Sequence, residues 1–304
     1  MESSKASAQS TAASSSLRQL LRRHPLFFFF LIAYAVTWSI GFLYIVLLHS
    51  PFPPPLGVWL CMISGPTVSA FIMTAATEGK AGVGRLLRRY VLWRVGVRWY
   101  LLVLLAVPGL VLLTLLILPE GRPFVRHLVA LLPLYPLTYI STLFFGGAFL
   151  EEPGWRGFAL PRLQPRFGPL RGTLMLGVLW TFWHLPVFFV PGFNGAGTGV
   201  VGISLAVAAF LIGVLAMSVL FTWVFNNTRG SLLLAILLHA SLDAASPASG
   251  SLLLFSTLYA PYIVVALLII GATRGRLSYE RYQYETLDLA PSAEGRMEAT
   301  GQMR

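Results

Sequence analysis

LVALLPLYPLTYISTLFFGGAFL, Leu128 to Leu150, is followed at once by Glu151-Glu152-Pro153-Gly154-Trp155-Arg156. The first stretch carries no charged residue and is long enough to cross a bilayer core, which takes about 20 apolar residues. The second puts two carboxylates and a guanidinium at its end. An ionisable group at membrane depth costs on the order of 2.5–3.5 kcal/mol even on lenient insertion scales. Two adjacent carboxylates cost more unless a cation or a proton offsets them. Such a cluster marks a functional site by default, and the rest of the chain is read for residues that could join it.

The surrounding composition is that of a polytopic membrane protein. Of the 304 residues, 56% are hydrophobic and 11% charged, with a mean hydropathy of +0.74, whereas a soluble domain carries about a quarter charged residues. The net charge of +11 does not indicate nucleic acid, because the basic residues gather between hydrophobic runs, as in loops held on the cytoplasmic side. The single cysteine, Cys61, lies inside an apolar run, which excludes a disulfide framework and a Cys-based metal site.

The hydrophobic runs predict an all-α fold, a polytopic membrane helix bundle of about eight transmembrane helices: 25–48, 56–75, 99–118, 128–158, 172–190, 200–225, 231–245 and 252–271. Residues 1–24 are Ser/Ala-rich, then basic, and read as a disordered cytoplasmic tail. The run that follows is too long for the roughly 7–15 apolar residues of a signal peptide. Residues 25–271 form the membrane domain, and 272–304 a polar, disordered cytoplasmic tail. Ser50 to Pro55 is a turn, since its prolines cannot continue a helix. Residues 79–98 mix Arg85, Arg88, Arg89, Arg94 and Arg98 with apolar and aromatic residues, giving either a helix in the cytoplasmic interface or a basic connecting loop. Pro161, Pro165 and Pro169 with Arg162, Arg166 and Arg171 read as a rigid basic loop, 192–199 as a glycine-rich outer turn, and 226–230 as a tight turn. With the N-terminus inside, the inner segments hold 20 of the 22 Lys and Arg, and the outer ones only Arg122 and Arg126. This supports the even span count and two cytoplasmic termini. The inverted repeat typical of many transporters is missing.

His24, His49 and His127 fall at span ends. The titratable residues within or against the spans are Glu151, Glu152, Arg156, His184, His239 and Asp243. Glu152 and Arg156, at i and i+4, share a helix face and can pair, while Glu151 is rotated about 100° away and is free for other partners. His239 and Asp243 have the same spacing, as do Trp180 and His184. At 1.5 Å per residue, His184 lies about 18 Å and His239 about 12 Å from the cytoplasmic start of its helix, depths at which both can meet Glu151. Taken singly, Trp180 is packing, Glu152 with Arg156 a structural pair, and Asp243 a group that orients His239. Taken together, a Glu and two His can activate water or bind a divalent metal such as zinc. That leaves a metal at Glu151, His184 and His239 open, with no other cofactor indicated.

At these residues the sequence resembles the CPBP intramembrane proteases, a family that includes the CAAX prenyl endopeptidase and bacterial relatives called Abi or bacteriocin-immunity proteins. Its pattern is EExxxR, then aromatic-xxx-His, then HxxxN or HxxxD, on three transmembrane helices. Glu151-Glu152-x-x-x-Arg156, Trp180-x-x-x-His184 and His239-x-x-x-Asp243 fit in that order within 151–243, with Trp where Phe is commoner and Asp where the eukaryotic enzyme has Asn. The resemblance implies peptide-bond hydrolysis in the membrane. Glu151 and His184 hold and deprotonate the water, His239 and Asp243 face the oxyanion, and Glu152 and Arg156 support Glu151. Ionised, Asp243 would repel an oxyanion, so it carries a proton, or only orients His239, or helps to bind a metal. The implied substrate is a membrane protein or a lipid-anchored peptide met in the bilayer. The protein is then a multi-pass protein of a bacterial plasma membrane, with a lipid-accessible cavity open to the cytoplasm among the fourth, fifth and seventh helices. A catalytically silent scaffold or immunity-type protein, and a proton or metal transporter, are the competing classes. Pro153 denies an amide bond to the carbonyl of Phe149, so a kink is expected there.

Overall fold

The computed structural model describes residues 16–48, 54–117, 125, 132–189, 199–245 and 252–287, and among them there is no strand. Residues 16–23 form α1. The next elements are α2 (Pro25–Gly41, then a π-helical turn, Phe42–Leu47), α3 (Leu56–Ile63) and α4 (Gly65–Tyr90). A further run comprises α5 (Val97–Leu101), a π-helical turn (Leu102–Ala106) and α6 (Val107–Ile117). The region of the acidic pair comprises α7 (Tyr135–Phe145), α8 (Ala148–Glu152), a π-helical segment (Pro153–Ala159) and α9 (Leu160–Phe167). After it come α10 (Pro169–Trp183), a 3₁₀ segment (Leu185–Phe189), α11 (Gly199–Asn227), α12 (Leu232–Ala245), α13 (Leu252–Thr273) and α14 (Tyr279–Leu287).

The molecule is an all-α membrane helix bundle, and each of the eight apolar stretches contains helix. Among the described residues, three helices, Pro25–Tyr44, Val97–Ile117 and Gly199–Asn227, are long and apolar enough to cross a membrane. The pair α3 and α4, bent by 47° at a short break, makes a fourth if it counts as one span. Lipid tails are as apolar as leucine, so burial alone does not hold such helices together. Packing and interhelical hydrogen bonds do. Ser69 Oγ donates to the Phe29 carbonyl at 2.7 Å, Thr37 Oγ1 to Met62 at 2.7 Å, Tyr34 Oη to Leu179 at 2.5 Å and Tyr139 Oη to Leu237 at 2.8 Å. Gly154 lets the π-helical segment lie directly on α4, since a Cβ there would come within 2.6 Å of the Pro66 carbonyl oxygen.

Several expectations are corrected. The fourth stretch is not one helix. It breaks at Gly146-Gly147, where Gly147 has φ +115°, and it widens into the π-helical segment at Pro153. The missing proline amide, expected to give a kink, is accommodated by this change of helix type. The supposed rigid loop is helical as α9: Pro161 falls in the first turn, where no amide bond is needed, and only Pro165 lies inside. The 79–98 segment is helix through Tyr90, redirected at Gly79, which has φ 71°, so it is not a connecting loop. The 226–230 turn forms as read, with Arg229 and Gly230 at positive φ after α11 ends.

Neither tail is wholly irregular. In α1, Arg18 Nε and Arg22 Nε donate to the carbonyls of Ala76 and Thr77, both at 3.1 Å. Leu277 is fully buried, and its carbonyl accepts from Asn226 Nδ2 at 2.8 Å. Tyr282 of α14 is buried and accepts from Arg89 Nη2 at 3.0 Å. A polar local composition conceals these contacts because their partners lie far away in sequence. The prolines at 51–53, the glycine-rich stretch to residue 198, His49, Arg122, Arg126, His127 and the remainder of both tails fall outside the described residues.

Candidate active site

Gly147 caps α8, so that its carbonyl accepts from both Leu150 N at 2.9 Å and Glu151 N at 2.8 Å. This short helix presents two adjacent carboxylates about 100° apart, both buried, and they go to different neighbours.

Glu151 Oε2 accepts two indole N–H bonds, from Trp155 Nε1 at 3.1 Å and Trp180 Nε1 at 2.9 Å. Glu152 Oε1 accepts from Arg156 Nη1 at 2.9 Å and from His239 Nδ1 at 2.8 Å. The Glu152–Arg156 pair expected from spacing is present and has no solvent exposure on either side. The Arg156 guanidinium also lies over the rings of Phe221 at 3.9 Å and Trp180 at 4.4 Å, an arrangement that attracts a cation to the negative ring faces. Glu152 Oε2, Arg156 Nε and Arg156 Nη2 are buried without a hydrogen-bond partner among the described residues.

Trp180 does more than pack. Its indole donates to Glu151, its carbonyl accepts from His184 Nδ1 at 2.9 Å, and its ring meets that of His239 edge-on with centroids 5.5 Å apart. A carbonyl can only accept, so His184 Nδ1 carries the proton in that bond and Nε2 is the nitrogen left for chemistry. His184 is not inside the helix but at its end, where α10 gives way to the 3₁₀ segment, half-buried between Trp183 and Phe210. Glu151 lies within electrostatic reach of Arg156, His184, His239 and Asp243. All three motifs therefore meet in one place.

Asp243 is the outlying member. Its Oδ2 is 3.7 Å from His239 Nε2 and its side chain is 33% exposed, a separation too long for a hydrogen bond. The group that orients His239 is Glu152, on another element. Trp155 went unassigned in the sequence, although its position at i+4 from Glu151 was a usable signal.

The zinc site left open by the residue types is not preformed. Among the described residues no group of three or more His, Cys, Asp or Glu could hold a metal ion. Beside the site, an apolar groove of about 640 Å³ opens between α4 and α8, lined by Thr67, Phe71, Leu87, Arg88, Tyr90, Val91 and Phe149.

Comparison with known proteins agrees with the motifs. Residues 133–245 match the family model described as type II CAAX prenyl endopeptidase Rce1-like, a segment that contains all three motifs. A CAAX prenyl protease 2 of Methanococcus maripaludis is 24% identical over 192 residues, covering 60% of this chain and 70% of that protein.

Proposed function

We propose, on the match of residues 133–245 to the CAAX prenyl endopeptidase family model, that this chain is an intramembrane endopeptidase that hydrolyses a peptide bond with a water activated by Glu151 and His184. The observation that supports it most directly is the grouping around Trp180, whose indole holds Glu151, whose carbonyl holds His184, and whose ring abuts His239.

The chemistry balances without an added group. Glu151 takes a proton from the water, which His184 Nε2 helps to hold, and the oxygen bonds to the substrate carbonyl carbon. The resulting oxyanion is met by His239 Nε2–H. His239 gives its Nδ1–H to Glu152, so it donates from Nε2 only as the imidazolium. Glu152 on one side and Asp243 on the other are the counter-charges for that form. Glu151 then returns its proton to the leaving amide nitrogen, the C–N bond breaks as the oxyanion collapses, and a carboxylic acid and an amine depart, the acid ionising on release. A preorganised oxyanion donor is commonly worth about 10²–10³-fold in rate. Asp243 thus acts as a partly exposed counter-charge, and Glu152 as the residue that positions His239.

The substrate class is a membrane protein or lipid-anchored peptide, as the name of the archaeal relative suggests. We read the chain as a multi-pass protein of a cell membrane with both termini cytoplasmic, a reading that the distribution of Lys and Arg supports. The test is cleavage by the full chain in liposomes, using membrane-anchored peptides with and without a lipidated C-terminal cysteine. Cleavage is expected to vanish in Glu151→Gln and in His184→Ala. Cleavage at wild-type rate in either variant overturns the assignment, and a lipid requirement on the peptide identifies the substrate class.

A further inference from the structure

We propose that Trp155 is a positioning residue whose indole N–H, together with that of Trp180, immobilises one oxygen of Glu151 so that the other works as the base. This rests on the reading of Glu151 above. Two donors converge on Oε2 from different elements, the π-helical segment and α10. With two N–H bonds on Oε2, the lone pairs left for a water are chiefly those of Oε1. Oε1 lies against Gly147, in the space that a Cβ there would occupy. The left-handed backbone of Gly147 (φ +115°) and its lack of a side chain thus leave room for the oxygen that has no indole donor.

Trp155 is built to hold one orientation. It is fully buried, stacked with Phe30 at 6.2 Å, and met edge-on by Phe29 at 5.8 Å and Trp183 at 5.7 Å. Rings from α2 and α10 therefore fix the direction of the N–H before any substrate arrives. A general base contributes most when its reacting atom is held in productive geometry. Packing of the ring alone does not require that its N–H be aimed at a carboxylate oxygen.

The experiment replaces Trp155 in the full-length chain with 3-benzothienylalanine, which keeps the bicyclic shape and puts sulfur in place of the N–H. Cleavage of a membrane-anchored peptide is measured in liposomes, with Glu151→Gln alongside and thermal unfolding checked for each protein. The expected result is a kcat lower by about 10- to 100-fold, the range for losing one hydrogen bond to a charged group, with KM within about twofold and an unchanged melting temperature. The same replacement at Trp180 is expected to lower kcat similarly. If Glu151→Gln is inactive but the Trp155 replacement keeps kcat within about twofold of wild type, the positioning role is overturned and the Glu151 reading stands. If Glu151→Gln still cleaves, the Glu151 reading fails and takes this inference with it.

Discussion

Replacing Glu152 with glutamine tests the centre of the site most severely. Neither Glu152 nor Arg156 has any solvent exposure, and one carboxylate oxygen serves both Arg156 Nη1 at 2.9 Å and His239 Nδ1 at 2.8 Å. Glutamine keeps an acceptor and nearly the same volume but removes the charge, leaving the buried Arg156 guanidinium with Glu151, which does not pair with it directly, as its remaining counter-charge. Breaking a buried pair from one side costs about 3–5 kcal/mol, and Phe221 and Trp180 offset about 1–2 kcal/mol of that through their ring faces. A net loss of about 1–4 kcal/mol is expected in equilibrium unfolding of the purified protein in mixed micelles, with cleavage nearly abolished. The double variant Glu152→Gln, Arg156→Met removes both charges, and replacing a buried pair by apolar groups is often neutral or stabilising. Stability should therefore recover while activity stays low, because His239 still lacks its carboxylate. A single-variant loss below about 1 kcal/mol, the scale of an exposed pair, would refute the account of the buried pair. Cleavage regained in the double variant would refute the link from Glu152 to His239.

Other outcomes follow from the same geometry. Gly147→Ala puts a Cβ where Glu151 Oε1 lies, on a backbone at φ +115°; strain of about 1–3 kcal/mol and loss of cleavage are expected in unfolding and liposome assays. Asp243→Asn should lower kcat by about fivefold or less, the effect of a partly exposed ion pair, whereas loss of activity together with bound zinc would reinstate a metal. Incubation with a strong zinc chelator, followed by assay and metal analysis, is expected to leave cleavage unchanged, because the site residues do not form a metal-binding group.

What could be read in advance and what could not divide along one physical line. Spacing along a helix reports which residues share its face, and so the pairing of Glu152 with Arg156 was legible before any coordinates. Trp155 stands in the same relation to Glu151, but a search restricted to ionisable groups passes over an indole whose only polar feature is one N–H. The prolines of α9 and the polar composition of 272–287 misled for a different reason. Local propensity disfavours order there, and distant contacts such as that of Asn226 with the Leu277 carbonyl prevail. Bonds between helices were not legible at all, since they depend on the rotation of one helix against another. The adjacent carboxylates join these two kinds of information. Each takes one partner from its own chain segment four residues on, Trp155 for Glu151 and Arg156 for Glu152. Each takes a second from a separate helix, Trp180 on α10 and His239 on α12. A separation of about 100° between neighbours lets the five-residue α8 address two helices at once. The two glutamates must therefore be consecutive: moving either by one residue would turn it away from the helix it engages.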